Sequence, residues 1–360
     1  MHKGTAGARR DAWRRTYNAR NALTDARLNA TPSPHVPAQL PARGIHRILV
    51  CRITKSLGNT LLVTPLIREL QALYPGAEID VLTRSGVADE VFGTLFPVRS
   101  IFRVPGRALG HPLRILGNLR RVRATTYDLV IDPSPRSGTG RLWLSLARAR
   151  FKLGFAGGSH AGQLTHAIAV EACSTHFGKQ SVDLLRAATG RAGGTAWPPL
   201  DIGLGQAERD AGRTALALIA GDGPGGEKGV VGIFANATGH KRHSSEWWNR
   251  FLPAMEPLLA GYRIVEIVPA FGRSLLDDRY PAFYASDIRK LASVLSSLSL
   301  YVSADCGVMH LACATGTPVA GLFNVSDPAN WGPYGPRDAG IDTAANSPER
   351  VAELVRACLP

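Results

Sequence analysis
The chain has 360 residues, 45% of them hydrophobic, and a formal net charge of +14. That length suffices for two α/β domains with real cores; no apolar run is long enough to span a bilayer, and the basic N-terminus lacks the apolar stretch of a signal peptide. The five cysteines, Cys51, Cys173, Cys306, Cys313 and Cys358, show no CxxC spacing, which argues against a disulfide framework or a zinc site and points to a reducing, cytoplasmic setting.

Residues 1–43 hold eight Lys/Arg and two Asp and end in a proline-rich run. They read as a flexible basic tail and linker, with a short helix around Trp13, Tyr17 and Arg20. From Arg47 the pattern becomes β-α-β. A strand is expected over 48–52, a loop over 55–59, and a helix over 60–73 with Leu62, Leu66, Leu70 and Leu73 on one face. Further strands are expected over 79–82 and 129–131, the latter ending at Asp132. The first domain closes around Trp197-Pro198-Pro199, so an N-terminal domain is assigned to 44–203.

The alternation then repeats. Helices are expected over 206–220, 246–259 and 287–295, and strands over 230–234, 264–268, 300–302 and 319–323. A glycine-rich loop covers 221–226. This C-terminal domain is assigned to 204–345, with a terminal helix within 346–360. Strands alternating with helices at this spacing predict parallel sheets and an α/β fold.

The richest stretch is Asp305-Cys306-Gly307-Val308-Met309-His310, where a buried strand hands over to a helix. In an open α/β sheet that place is the ligand crevice. Free N–H groups at the helix start favour an anion such as a diphosphate. The glycine allows close backbone approach, and the acid can hold sugar hydroxyls.

Four segments carry a resemblance. Residues 47–65 read RILVCRITKSLGNTLLVTP, 127–137 read YDLVIDPSPRS, 151–155 read FKLGF, and 291–323 contain Asp-x-Gly-x-x-His-x-Ala followed by Gly316-Thr317-Pro318. With Trp331-Gly332-Pro333, they resemble glycosyltransferase family 9, the bacterial group that includes the lipopolysaccharide heptosyltransferases. The resemblance implies a GT-B fold: two facing Rossmann-like domains with a cleft between them, the first for the acceptor and the second for the nucleotide-sugar donor. It implies inverting transfer of a heptose-like sugar, with ADP-heptose among the donors, no cofactor and no metal. Residue by residue, Asp305 would hold donor hydroxyls, and the backbone of Cys306, Gly307, Val308 and Met309 would cradle the diphosphate. Lys241 matches a phosphate-binding lysine, with Thr238 and His310 adding contacts and Glu266 reaching the ribose. Lys55, Ser56, Gly58 and Arg136 would contact the acceptor.

One position departs from the family. Asn59 stands where the expected catalytic Asp follows Ser-Leu-Gly, and an amide cannot accept a proton at neutral pH. Three readings stay open. Asp132 serves as the base, Asn59 only orients a differently placed acceptor, or the protein binds without catalysing. For Asp132 the plain alternative is a strand-end cap or a partner for Arg136. For Lys241 it is an exposed loop lysine, and for His310 a packing histidine.

The charge is uneven. Residues 99–152 hold twelve Lys/Arg against two Asp, whereas 44–98 balance at five against five. Such a field draws phosphate-rich partners. No nucleic-acid motif accompanies it. The expected partners are therefore an anionic glycolipid, such as lipopolysaccharide inner core, and the cytoplasmic face of the inner membrane, where the protein would sit peripherally.

Overall fold
The computed structural model describes residues 39–106, 111–157, 161–221 and 226–359. The expected tail helix near Trp13, the proline run up to residue 38 and most of the glycine loop at 222–225 lie outside the described residues. The chain forms two compact units that divide between Pro198 and Pro199.

The first unit is built on six strands: β1 Arg47–Arg52, β2 Glu78–Thr83, β3 Val98–Arg103, β4 Thr126–Asp132, β5 Arg148–Phe155 and β6 His166–Ile168. Their order is β3-β2-β1-β4-β5-β6, and every pairing is parallel. The second unit has β7 Gly229–Phe234, β8 Tyr262–Ile267, β9 Ala282–Phe283, β10 Leu300–Ala304, β11 Val319–Phe323 and β12 Ala339–Asp342. Its order is β12-β11-β10-β7-β8-β9, again all parallel. Counted within its own unit, each sheet therefore has the doubly wound order 3-2-1-4-5-6. That order reverses direction once, between β1 and β4 in the first unit and between β7 and β10 in the second. The crevice outside the carboxyl ends of those strands is where such sheets bind ligands.

Continuous apolar runs explain the central strands, which helices cover on both faces. β10 and β11 are buried along their whole length. The helix expected over 60–73 is two helices, Leu57–Leu61 and Thr64–Leu73. Pro65 has no N–H to offer the Leu61 carbonyl, and the Thr64 hydroxyl bonds that carbonyl instead at 2.7 Å. The helix expected over 246–259 runs Ser245–Met255, with Ser244 as its cap, and tightens into a 3-10 turn over Glu256–Leu259. The terminal helix Pro348–Arg356 packs Val351, Ala352 and Val355 against Trp248, Phe251 and Met255, within the core of the second unit.

Helix Gln206–Ala220 crosses helix Ile288–Leu295 at Gly212, where a Cβ would stand 2.1 Å from the Ser293 carbonyl oxygen. All five cysteines are free, and burial pushes each thiol above its ordinary pKa, that of Cys173 to about 12.

Candidate active site
In the first unit the carboxyl ends of β1 and β4 place Arg52 and Asp132 side by side. Arg52 Nη1 donates to Ser134 Oγ at 2.6 Å, and its Nε donates to the Asn59 carbonyl at 3.4 Å. Asp132 is fully buried. Its Oδ1 accepts the Ser134 N–H at 3.1 Å, and its Oδ2 lies 3.5 Å from Arg141 Nε. Arg141 projects from helix Gly138–Leu146, is itself buried, and donates Nη2 to the Phe155 carbonyl at 2.9 Å. Gly140 leaves room for this packing, because a Cβ there would come within 3.0 Å of Asp132 Oδ1. Burial pushes the Asp132 carboxyl up to about 7, against the opposing pull of Arg141, the Ser134 N–H and Arg52. Desolvation outweighs the two guanidiniums because neither makes a close, aligned bond to the carboxylate.

The partner of Asp132 is thus Arg141, not Arg136, which is exposed. Lys55 and Ser56 are exposed at the start of helix Leu57–Leu61, Asn59 is half-buried within it, and Gly58 is buried.

In the second unit the ends of β7 and β10 bring together residues 64 positions apart. Lys241 Nζ sits 2.7 Å from Asp305 Oδ2, with the lysine side chain 29% and the aspartate side chain 5% exposed. Ser326, after β11, donates its hydroxyl to the same Asp305 oxygen. The Trp331 ring lies 5.9 Å from Lys241 Nζ. Helix Gly307–Thr315 begins right behind Asp305. Its N-cap Cys306 is extended, and its thiol, a weak acceptor, lies against the Val308 and Met309 N–H groups without an aligned capping bond, so an anion at this helix start would take those N–H groups over from sulfur and add that of Gly307. Met309 is buried with its sulfur against Gly321, and His310 is buried within the first turn. Gly316 ends the helix at φ +85°, a left-handed position that suits glycine.

The lysine loop is held from two sides. Asn324 Nδ2 donates to the His240 carbonyl at 3.3 Å and to the Arg242 carbonyl at 3.4 Å. His243 Nε2 bonds Thr343 Oγ1 at 2.7 Å, and its ring lies tilted at 43° against the Trp247 ring, 4.3 Å between centroids. Burial lowers the His243 pKa to about 4, so this ring stays neutral. Thr238 is exposed and stands at the start of the 3-10 turn Gly239–Lys241 without a side-chain capping bond.

Glu266, expected to reach the ribose, has partners of its own in the fold. It is fully buried on β8, with Oε2 accepting from Ser274 Oγ at 2.5 Å and Oε1 from the Leu275 N–H at 3.0 Å. Both oxygens anchor the loop after β8, and each keeps a lone pair beyond the bond it accepts here. Sequence reading missed Arg52, Arg141, His243, Asn324 and Ser326. The available signal for Asn324 and Ser326 was their place directly after β11, beside the sheet's switch point.

Residues 286–358 match the family model described as glycosyltransferase family 9 (heptosyltransferase). No curated protein matches the chain. Among solved structures, the family 9 glycosyl transferase of Veillonella parvula aligns with a TM-score of 0.71 at 16% identity, over 85% of this chain and 88% of that one. The E. coli heptosyltransferase WaaC with ADP aligns with a TM-score of 0.66 at 18% identity, over 87% and 99% of the two chains. The E. coli ADP-heptose lps heptosyltransferase II gives 0.63 at 18% identity, over 87% and 98%. The expected GT-B class of α/β fold is thereby borne out.

Proposed function
We propose, for a chain whose C-terminal unit bears the signature of glycosyltransferase family 9, that it moves a heptose-like sugar with inversion from a nucleotide diphosphate to an anionic glycolipid at the cytoplasmic membrane face. The observation that carries this reading is the Lys241–Asp305 pair beside a helix start whose N–H groups meet only the weakly accepting Cys306 thiol. When a donor enters, its diphosphate competes with Asp305 for the lysine. The released carboxylate then accepts sugar hydroxyls, and Lys241 with the N–H groups of Gly307, Val308 and Met309 stabilises the leaving diphosphate. ADP as the nucleotide is carried over from the E. coli relative solved with it.

In the first unit Asp132, with a pKa of about 7, is suited to take the acceptor proton near neutral pH. Lys55, Ser56 and Arg136 would meet the anionic acceptor, with Asn59 orienting its hydroxyl. A second reading has its own observation. Asn59 is no base and Asp132 is closed from solvent, as in a protein that binds nucleotide sugar or glycolipid without turnover.

Turnover of a nucleotide-sugar panel that includes ADP-heptose, with deacylated lipopolysaccharide core as acceptor, separates the two. The transferase reading expects activity in the wild type. Asp132→Asn should then lower kcat by about 10²–10⁴-fold, and Lys241→Ala should lower kcat/KM by about 10²–10³-fold. A silent wild type with an active Asn59→Asp would establish the binding protein instead.

A further inference from the structure
Helix Pro112–Ala124, between β3 and β4, has a surface that the transfer chemistry does not use. Its inner stripe faces the first sheet. Val122 joins a core cluster with Tyr127 and Trp143, Ile115 and Leu119 pack against that cluster, and Asn118 Nδ2 donates to the Arg103 carbonyl at 2.7 Å. Positions 113, 116, 120 and 123 recur at three- and four-residue spacing and form the opposite stripe. There Leu113 is 82% and Leu116 42% exposed. Arg114, Arg120, Arg121 and Arg123 are exposed around them. Leu142, 41% exposed, projects from helix Gly138–Leu146, which covers the same face of the sheet.

The segment around the helix carries one sign of charge. From residue 91 to residue 127 the chain has seven arginines and no Asp or Glu. Arg99 pairs with Glu78 and Asp80, and Arg103 with Asp89. None of the helix's four arginines pairs with a described carboxylate, and Arg121 lies over the Phe102 ring at 5.7 Å. A face that served solubility alone would not expose leucines among its cations. Exposed leucines ringed by arginines are complementary to a bilayer surface, which offers both an acyl boundary and anionic phosphates.

We propose that helix Pro112–Ala124 docks on an anionic lipid bilayer, with Leu113 and Leu116 entering the acyl boundary and the arginines meeting lipid phosphates. In a parallel sheet a crossover helix starts at the carboxyl edge of the strands. The two leucines therefore lie toward the edge that carries Lys55, Asn59 and Asp132, where a lipid-borne acceptor would be presented. The docking stands by itself; only that purpose rests on the transferase reading.

The test is co-sedimentation of the full-length protein with phosphatidylcholine vesicles, with and without phosphatidylglycerol, at low and high salt. The wild type should bind only the anionic vesicles and release at high salt. Leu113→Ser with Leu116→Ser should weaken binding about tenfold or more, and Arg120→Gln with Arg123→Gln about fivefold per arginine. Leu113→Trp should strengthen binding, a gain that misfolding cannot produce. The proposal is overturned if the serine pair binds like wild type, if neutral vesicles bind equally, or if the protein ignores vesicles and instead binds RNA in a salt-sensitive way. Since turnover on a deacylated, lipid-free acceptor should be unchanged in the serine pair, failure of docking and failure of the transferase reading are read separately.

Discussion
At Asp132 the pKa carries a stability consequence. Its carboxyl is raised from 3.8 to about 7 in the folded unit, mainly by burial. The folded state therefore holds this proton more tightly than the unfolded chain does. Its contribution to stability is greatest at low pH, declines as pH rises from about 4 to about 7, and is level above that. Asp132→Asn keeps the shape and removes the titration. Denaturant midpoints should therefore show the variant gaining on the wild type across that window and keeping the advantage at pH 8; parallel curves for the two proteins would contradict the raised pKa. The same substitution that lowers turnover in the transferase reading thus gains stability relative to the wild type as pH rises. Residue identities at this scale were partly legible. Asp305 and Lys241 were recognisable in the sequence, but their pairing across 64 positions was not, because it depends on the strand order. The loop-anchoring bonds of Glu266 were illegible for a related reason. Nothing in the chain shows that Ser274 and Leu275 fold back onto it.

Among the elements, the tightest approach is Gly212 against Ser293, where a methyl group would need space already held by backbone. Alanine gains at most about 1 kcal/mol over glycine in helix propensity. Overpacking against backbone costs about 1–3 kcal/mol. The clash should win, and Gly212→Ala should lower stability by about 1–2 kcal/mol, measurable by urea unfolding; a stabilised variant would show that the helices part freely. Strands with unbroken apolar runs, β1, β4, β7, β10 and β11, were readable because burial on both faces demands such runs. β3 and β5 were not, since Arg99, Arg103, Arg148 and Arg150 interrupt them. Helix Pro112–Ala124 was hidden as well, its sequence split between a narrow buried stripe and exposed leucines and arginines.

For the molecule as a whole, each unit has a complete doubly wound sheet with its own core. Residues 39–198 and 199–360 produced separately should each unfold cooperatively. ADP should stabilise only the second, by about 2.7 kcal/mol at a hundredfold excess over its Kd. Calorimetry on the two halves reads both points. Stabilisation of the first half by ADP would reverse the assignment of donor and acceptor sides. The pattern of two α/β units was visible in the alternation of strands and helices, whereas their shared strand order came only with the folded chain.

The raised thiol pKa values open an experimental route. With all five cysteines pushed toward the protonated form, the native protein offers little thiolate to an alkylating dye at neutral pH. A single cysteine introduced at the fully hydrated Phe96, 90% exposed, would be the fastest-reacting position in the molecule. The five native thiols should therefore label more slowly than the introduced one, a contrast in rate that timed alkylation of the variant and the wild type reads directly.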